Sequence, residues 1–329
     1  MRVRANGVEL EVEDSGGAPE RPAVLLIMGL GMQLIAWPDT LVRPLIDAGY
    51  RVIRYDNRDI GLSQHFDQLG TPSLAWQMVR KRLGLRVVPP YSLQDMAADA
   101  LGVLDALGIR QAHVVGASMG GMIAQRLAVL APERVLTLTS VMSSSGARGL
   151  PRSSPAVMRL LLRRPSATDR ATQVKYSVEV FRCVGSPAFP TSDAELEARQ
   201  GAFFDRSFHP QGVARHAVAA FLDQGRAALL GQIRAPTLVF HGKADPLVPC
   251  PCGEDSARRI AGSKLVTVEG MGHDLPPPVV ERLLGALLPH LAQPVSRQGI
   301  TQRRASNAPA SETFAAQTRA PGGIVKPVQ

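Results

Sequence analysis

Residues 112–120 read Ala-His-Val-Val-Gly-Ala-Ser-Met-Gly. Gln111 to Val115 has the composition and length of a buried strand. Met119 to Leu130 is apolar at helical spacing and stops near Pro132. Between them, Gly116-Ala117-Ser118-Met119-Gly120 fits G-x-S-x-G in the strand–turn–helix context that gives the motif its meaning. The reason is steric. Small residues at 116 and 120 let strand and helix pass close to one another, and the strained turn holds the Ser118 hydroxyl above the sheet edge. The following helix points its N-terminal amides at any negative charge developing there.

Working outward, the flanks repeat the same rhythm. Arg2–Arg4 and Val8–Asp14 alternate apolar and polar residues around Asn6-Gly7, a hairpin signal. Ala23 to Met28 is a continuous apolar run ending at glycine, as in a buried central strand. Pro38 opens a helix to Ala48, and Arg51 to Tyr55 is the next strand. Ser92 caps a helix to about Leu107, with Gly108 after it. Val135 to Met142, Thr237 to His241 and Leu265 to Val268 are strands. Helices are expected near Glu254 to Ala261 and from Pro276 to about Leu291. Strands alternating with helices predict an α/β fold, a mostly parallel sheet with helices on both faces.

A serine hydroxyl needs a base, and the base needs an acid to orient it. Of the seven histidines, His113 lies inside a strand, His241 ends one, and His209 and His216 fall in an Arg-rich stretch. His273 stands apart. It sits in Gly270-Met271-Gly272-His273, a loop at the carboxyl end of the sheet, where open parallel sheets bind ligands. Asp245 follows the strand ending at His241 and precedes a helix. Taken singly, these are a loop histidine and a loop carboxylate. Taken together, Ser118, Asp245 and His273 each follow a strand of their own, in the order expected of a Ser–Asp–His triad. An oxyanion hole needs two backbone N–H groups. Met119 is expected to supply one. Leu30, in Met28-Gly29-Leu30-Gly31, is expected to supply the other, with Gly29, Gly116 and Gly120 supporting the turns.

The chain has 329 residues, 45% apolar and 20% charged, enough to bury a large core. Ala23 to Trp37, the longest apolar candidate, is too short to span a bilayer and is broken by Gly29, Gly31 and Gln33. The N-terminal stretch turns acidic where a signal peptide needs its apolar segment, so the cytoplasm is the expected compartment. Cys183, Cys250 and Cys252 fit neither a disulfide framework nor a metal site, and no metal or cofactor is expected.

The net charge is +9, and three segments hold the excess: +3 in residues 64–91, +6 in 146–235 and +4 in 294–329. With aromatics at 5% and no recognisable motif, nucleic acid is not an expected partner. Residues 64–91 and 143–235 interrupt the α/β rhythm and read as excursions above the sheet, the second a helical cap. In the first, Leu74, Ala75, Met78, Val79 and Leu83 recur at near-helical spacing among Arg80, Lys81, Arg82 and Arg86. Two readings stand for such stretches: helices packed on the core with solvated arginines, or a lid meeting anionic lipid or the phosphates of an acyl-CoA. Phe203, Phe204, Phe208 and Phe221 read either as a pocket wall or as ordinary packing. Arg58 and Asp59 read as a structural turn pair. The organisation expected is therefore a core of residues 1–142 (with the 64–91 insertion) and 236–293, a cap of 143–235, and a disordered basic tail of 294–329.

Several segments resemble the α/β-hydrolase superfamily, most closely the aclacinomycin methylesterase group. They are Leu26-Ile27-Met28-Gly29 with Trp37-Pro38-Asp39, Val52-Ile53-Arg54-Tyr55-Asp56 with Arg58-Asp59 and Gly61, His113 to Gly116 with Ser118-Met119-Gly120, Asp245-Pro246, and Gly270 to His273 with Leu275-Pro276. The resemblance covers most of residues 1–62, 92–142 and 236–291. It implies a cofactor-free serine hydrolase that cleaves a carboxylic ester of a small or medium hydrophobic substrate. The departures lie where pockets are built. Residues 64–91 are an insertion, 143–235 match little, and Met28 replaces the usual histidine of the His-Gly loop. The methyl-ester substrate is therefore not carried over. Thioesters, phospholipids, lactones, C–C bonds and cofactor-free perhydrolysis remain open for the same triad, as does a non-catalytic ligand-binding role. Serine at 118 argues against relatives with an aspartate nucleophile.

Overall fold

The computed structural model describes residues 1–18, 20–163 and 165–293; the tail expected to be disordered lies outside them. Strands β1 (Arg2–Ala5) and β2 (Val8–Asp14) form the expected hairpin, with Asn6 and Gly7 both at positive φ. They are followed by β3 (Ala23–Ile27), α1 (Asp39–Asp47), β4 (Arg51–Tyr55), α2 (Leu74–Arg82), α3 (Leu93–Ala106), β5 (Ala112–Ala117), α4 (Met119–Leu130) and β6 (Val135–Val141). Ser92 and Asp95 cap α3 reciprocally, each side chain accepting the other's backbone N–H. Among the described residues, five α-helices and a short 3-10 turn (Leu230–Gln232) separate β6 from the next strand: α5 (Pro155–Leu162), α6 (Arg170–Val184), α7 (Asp193–Arg206), α8 (Pro210–Leu222) and α9 (Arg226–Leu229). The chain then returns through β7 (Thr237–Gly242), α10 (Cys250–Arg259), β8 (Lys264–Val268) and α11 (Pro277–Leu291).

Helix α10 begins four residues before the expected Glu254. Pro249 is extended with ψ 145° and precedes it, and Pro251 occupies its first turn, where no intrahelical N–H is missed. Cys250 and Cys252 are thereby buried on that turn as free thiols.

The eight strands form one sheet in the order β1-β2-β4-β3-β5-β6-β7-β8, parallel from β4 to β8, with the antiparallel hairpin at one edge. Alternation along the strands divides the core. Leu25, Ile27, Ile53, Val114 and Leu138 face the layer containing α3 and α4. Val24, Leu26, Val52, Val115 and Phe240 face the layer containing α1 and α11. Both faces of the central strands are covered, which is why these strands read as unbroken apolar runs.

Residues 56–59, just past β4, knit the sheet to its surroundings. The Asp56 carboxylate accepts from Leu34 N–H (2.7 Å), Leu62 N–H (2.9 Å) and Arg206 Nη1 of α7 (2.8 Å). Asn57 Nδ2 donates to the Met28 carbonyl at 2.9 Å. Arg58 grips Asp99 of α3 with two 2.6 Å bonds. Asp59 accepts from Arg215 of α8 at 2.6 and 2.7 Å and from Tyr91 Oη at 2.8 Å. Arg58 and Asp59 are thus structural, as their turn position suggested, but they serve different partners rather than each other.

Both side chains of the Asp59–Arg215 pair are fully buried. Burial alone would push the Asp59 carboxyl up, yet the Arg215 bond and the other donors hold it below 3.8. Its contribution is therefore complete above the unfolded value and is lost as pH falls through the lower folded value. Arg215→Met strands the carboxylate and should cost about 3–5 kcal/mol in urea unfolding at neutral pH. A loss under ~1 kcal/mol would mean that water reaches Asp59 and pairs it.

Candidate active site

Strand β5 turns into α4 through Ser118, whose φ is +56° and ψ −121°. A non-glycine residue here is strained and is held by its surroundings: Ser118 N–H donates to the Val141 carbonyl at 2.9 Å, and Ser118 O accepts from Ser143 Oγ at 2.7 Å. The turn closes only because residues 116 and 120 lack side chains. A Cβ on Gly120 would lie 2.0 Å from the Ile27 carbonyl oxygen, and one on Gly116 would lie 2.2 Å from the Gly120 carbonyl oxygen.

Three parallel strands deliver the expected partners to one edge. His273 Nε2 lies 3.0 Å from Ser118 Oγ, and His273 Nδ1 lies 2.7 Å from Asp245 Oδ2. Asp245 is itself fixed, its Oδ1 accepting the Leu247 and Val248 N–H groups at 2.9 and 2.8 Å. The segment after α6 braces the histidine loop. His273 N–H donates to Val184 O (2.7 Å), Gly272 N–H to Ser186 Oγ (2.9 Å), and Ser186 Oγ to Asp274 Oδ1 (2.5 Å). This bracing was not legible in the sequence, because Ser186 lies 88 residues from Asp274 and belongs to no motif.

The Met28–Gly31 loop passes beside the serine. A Cβ on Gly29 would lie 3.1 Å from Ser118 Cβ. The N–H groups of Leu30 and Met119 have no acceptor among the described residues, whereas Gly31 N–H donates to His216 Nδ1 of α8 at 3.3 Å. His216 Nε2 lies 2.8 Å from the Arg58 carbonyl. One ring nitrogen accepts and the other donates, so the imidazole is the neutral Nε2–H tautomer. Burial agrees, pushing its pKa down to about 4. In the sequence His216 is one histidine of an Arg-rich stretch with no motif around it; its partners are 185 and 158 residues away.

The remaining histidines do other work. His113 is a core residue bonded to Thr137 Oγ1 at 2.9 Å. His241, fully buried, lies 2.7 Å from the Val248 carbonyl through Nε2. His65, Asp67 and His209 bring their ligating atoms within 4.8 Å of one another. They do not make a metal centre. The two imidazoles stack with centroids 3.8 Å apart and planes 5° from parallel, so their in-plane lone pairs do not converge, and Arg215 Nη2 lies 3.0 Å from His209 Nε2. Phe204 packs on Phe208, with ring centroids 4.7 Å apart, and against the Val174–Val178–Leu196 cluster, whereas Phe221 lies under Lys81 of α2. Those contacts are ordinary packing.

A buried neutral histidine binds its proton more readily when unfolded. His216 therefore lowers stability progressively as pH falls from about 6.5 to its folded value of about 4. In His216→Gln, the slope of unfolding free energy against pH should be shallower across that window by up to about 1.4 kcal/mol per pH unit. Identical slopes in urea titrations of the two proteins would mean that His216 is protonated when folded.

The family described as the alpha/beta hydrolase fold matches residues 22–276. Rhodomycin D methylesterase of Streptomyces sp. (strain C5) is 33% identical over 299 residues, covering 83% of this chain and 92% of that protein. A 2-hydroxy-6-oxononadienedioate/2-hydroxy-6-oxononatrienedioate hydrolase of Klebsiella pneumoniae is 28% identical, covering 81% of this chain and 85% of its own. Among solved structures, a thermophilic esterase from Thermogutta terrifontis superposes with a TM-score of 0.65 at 26% identity, over 88% of this chain and 98% of the other. With its strand–turn–helix serine, its mostly parallel sheet and this span of similarity, the chain belongs to the α/β-hydrolase fold family.

Proposed function

We propose that this protein hydrolyses a carboxylic ester of a small or medium hydrophobic substrate through an acyl-enzyme, with Ser118, His273 and Asp245 as its triad. The observation that carries the reading is the hydrogen-bonded chain from Ser118 Oγ through His273 to Asp245, at 3.0 and 2.7 Å. In the first half-reaction His273 Nε2 takes the serine proton as Oγ attacks the ester carbonyl, then returns it to the departing alkoxide. In the second half-reaction His273 Nε2 takes a proton from water as its oxygen attacks the acyl-enzyme carbonyl, then returns that proton to Ser118 Oγ as the acyl–Oγ bond breaks and the acid leaves. Asp245 holds Nδ1–H and stabilises the imidazolium formed in both halves. The Leu30 and Met119 N–H groups, having no acceptor among the described residues, are assigned to the oxyanion.

Residues 143–235 act as the cap of this site, and residues 1–142 with 236–293 as its core. The support is that cap residues touch the working loops directly: Ser186 and Val184 hold the His273 loop, and His216 holds Gly31. The ester reading is further supported by the methylesterase and esterase relatives. The cytoplasm suits its three free thiols.

Ser118→Ala should abolish labelling by a fluorophosphonate and hydrolysis of p-nitrophenyl esters, with unchanged thermal stability. Asp245→Asn should slow labelling without abolishing it and lower kcat about 10³–10⁴-fold, as expected when the imidazole loses its orienting acid. Undiminished labelling of Ser118→Ala would overturn the assignment. Activity toward thioesters or C–C bonds, with none toward esters, would keep the triad and change the substrate.

A further inference from the structure

Helix α2 is built inside out. Leu74, Gln77 and Lys81 lie on the half-buried side that meets α8, where Lys81 Nζ stands 4.4 Å from the Phe221 ring centre and 3.4 Å from the Phe221 carbonyl. Trp76, Val79 and Leu83, spaced i, i+3 and i+7, make the opposite stripe and are 57%, 46% and 66% exposed. Beyond the helix Leu85 and Val88 continue the exposed apolar surface at 51% and 66%. On α2, then, the half-buried side against α8 is mostly polar, and solvent receives the tryptophan. Single apolar side chains on a surface need no explanation, but a stripe of three on one helix face, led by a half-exposed tryptophan, is what a covering partner would use.

The charge around the stripe narrows what covers it. Exposed Arg82 and Arg86 border it. Arg80 Nη2 donates to the Arg86 carbonyl at 3.1 Å, tying helix and loop together. Between Asp67 and Asp95 the chain has four basic residues and no acidic one. A second copy of this chain would meet the surface by bringing the same cations face to face, which disfavours a two-fold dimer. An anionic bilayer satisfies both features at once. Its headgroups neutralise the arginines, and its interface accepts the ring and aliphatic stripe to the depth an interfacial helix reaches. We propose that the exposed face of α2 and the loop to Val88 is a docking surface for membranes rich in anionic phospholipid. Because α2 packs on α8, and Val213 and His216 of α8 contact Gly31, docking would set the cap beside the lipid surface.

The test is sedimentation of the full chain with sucrose-loaded vesicles, independent of any catalytic activity. One set is phosphatidylcholine alone; the other is equal parts phosphatidylcholine and phosphatidylglycerol. The wild type should sediment with the anionic vesicles at low ionic strength, much less with the neutral ones, and be released by salt. Trp76→Ser with Leu83→Ser should lower the partition at least tenfold. Arg82→Gln with Arg86→Gln should lower it more than tenfold, about fivefold per charge. All four positions are exposed, so unchanged thermal midpoints are expected. Three results would overturn the proposal: no sedimentation of the wild type, variants that sediment like wild type (binding would then lie elsewhere on this basic chain), or a dimer in analytical ultracentrifugation that the Trp76/Leu83 variant abolishes.

Discussion

Helix α4 leaves strand β5 as sharply as it does because positions 116 and 120 carry no Cβ. With the Ile27 carbonyl oxygen 2.0 Å from where a Gly120 Cβ would stand, even a methyl group would drive α4 off β3. That single close approach has three consequences. It holds Ser118 at positive φ over the sheet edge, it frees the Met119 amide at the helix start, and it keeps β3 and β5 close enough that the loop after β3 passes beside the serine. The strain at Ser118 persists because two buried strands and a buried helix over-determine the turn, and the packing of both sheet faces supplies that constraint.

A second constraint ties the segment between β6 and β7 to the core. Four consecutive residues, Asp56 to Asp59, pair with α3, α7, α8, the Met28 carbonyl and Tyr91. Charges this deep are expensive unless fully partnered. Here Arg58 and Arg215 each meet a carboxylate with two well-placed bonds, which fixes orientation as well as distance, and Arg206 meets Asp56 with one. Two helices of the segment, α7 and α8, are thus tied to residues 56–59 by directional ionic contacts. The segment's own buried cluster is small, Val174, Val178 and Leu196. Through His216 the same helix that carries Arg215 also holds the Gly31 amide, so the position of α8 and the shape of the loop beside the serine are one structural variable.

The α/β alternation and the Ser118–Asp245–His273 order were legible because each depends on short stretches of chain. Strand runs such as Ala23 to Ile27, the Ser92 cap with Asp95, the Asn6-Gly7 turn and the Gly116–Gly120 turn are fixed by side-chain periodicity and by φ angles that only certain residues adopt. Each site residue follows a strand, and a parallel sheet brings the carboxyl ends of its strands to one edge, so chain order translated directly into proximity. The start of α10 was misread because the Glu254 side of the helix shows its pattern, whereas the prolines at 249 and 251 mark its true beginning.

What sequence could not carry is pairing across long separations and the direction a helix faces. The spacing of Leu74, Met78, Val79 and Leu83 marks a helix but not which side meets the protein; in the structure Lys81 sits over Phe221 of α8, and Trp76 and Leu83 face outward. His216 with Gly31 and Ser186 with Asp274 are separated by 185 and 88 residues, and no periodicity links them. Fold class, the Gly116–Gly120 turn and the order of the candidate site residues are readable from the chain itself, because local sterics and hydrophobic period act within a few residues of one another. The tertiary structure alone decided which buried polar groups hold the working loops and which apolar face stays in water, because both depend on where distant segments come to rest.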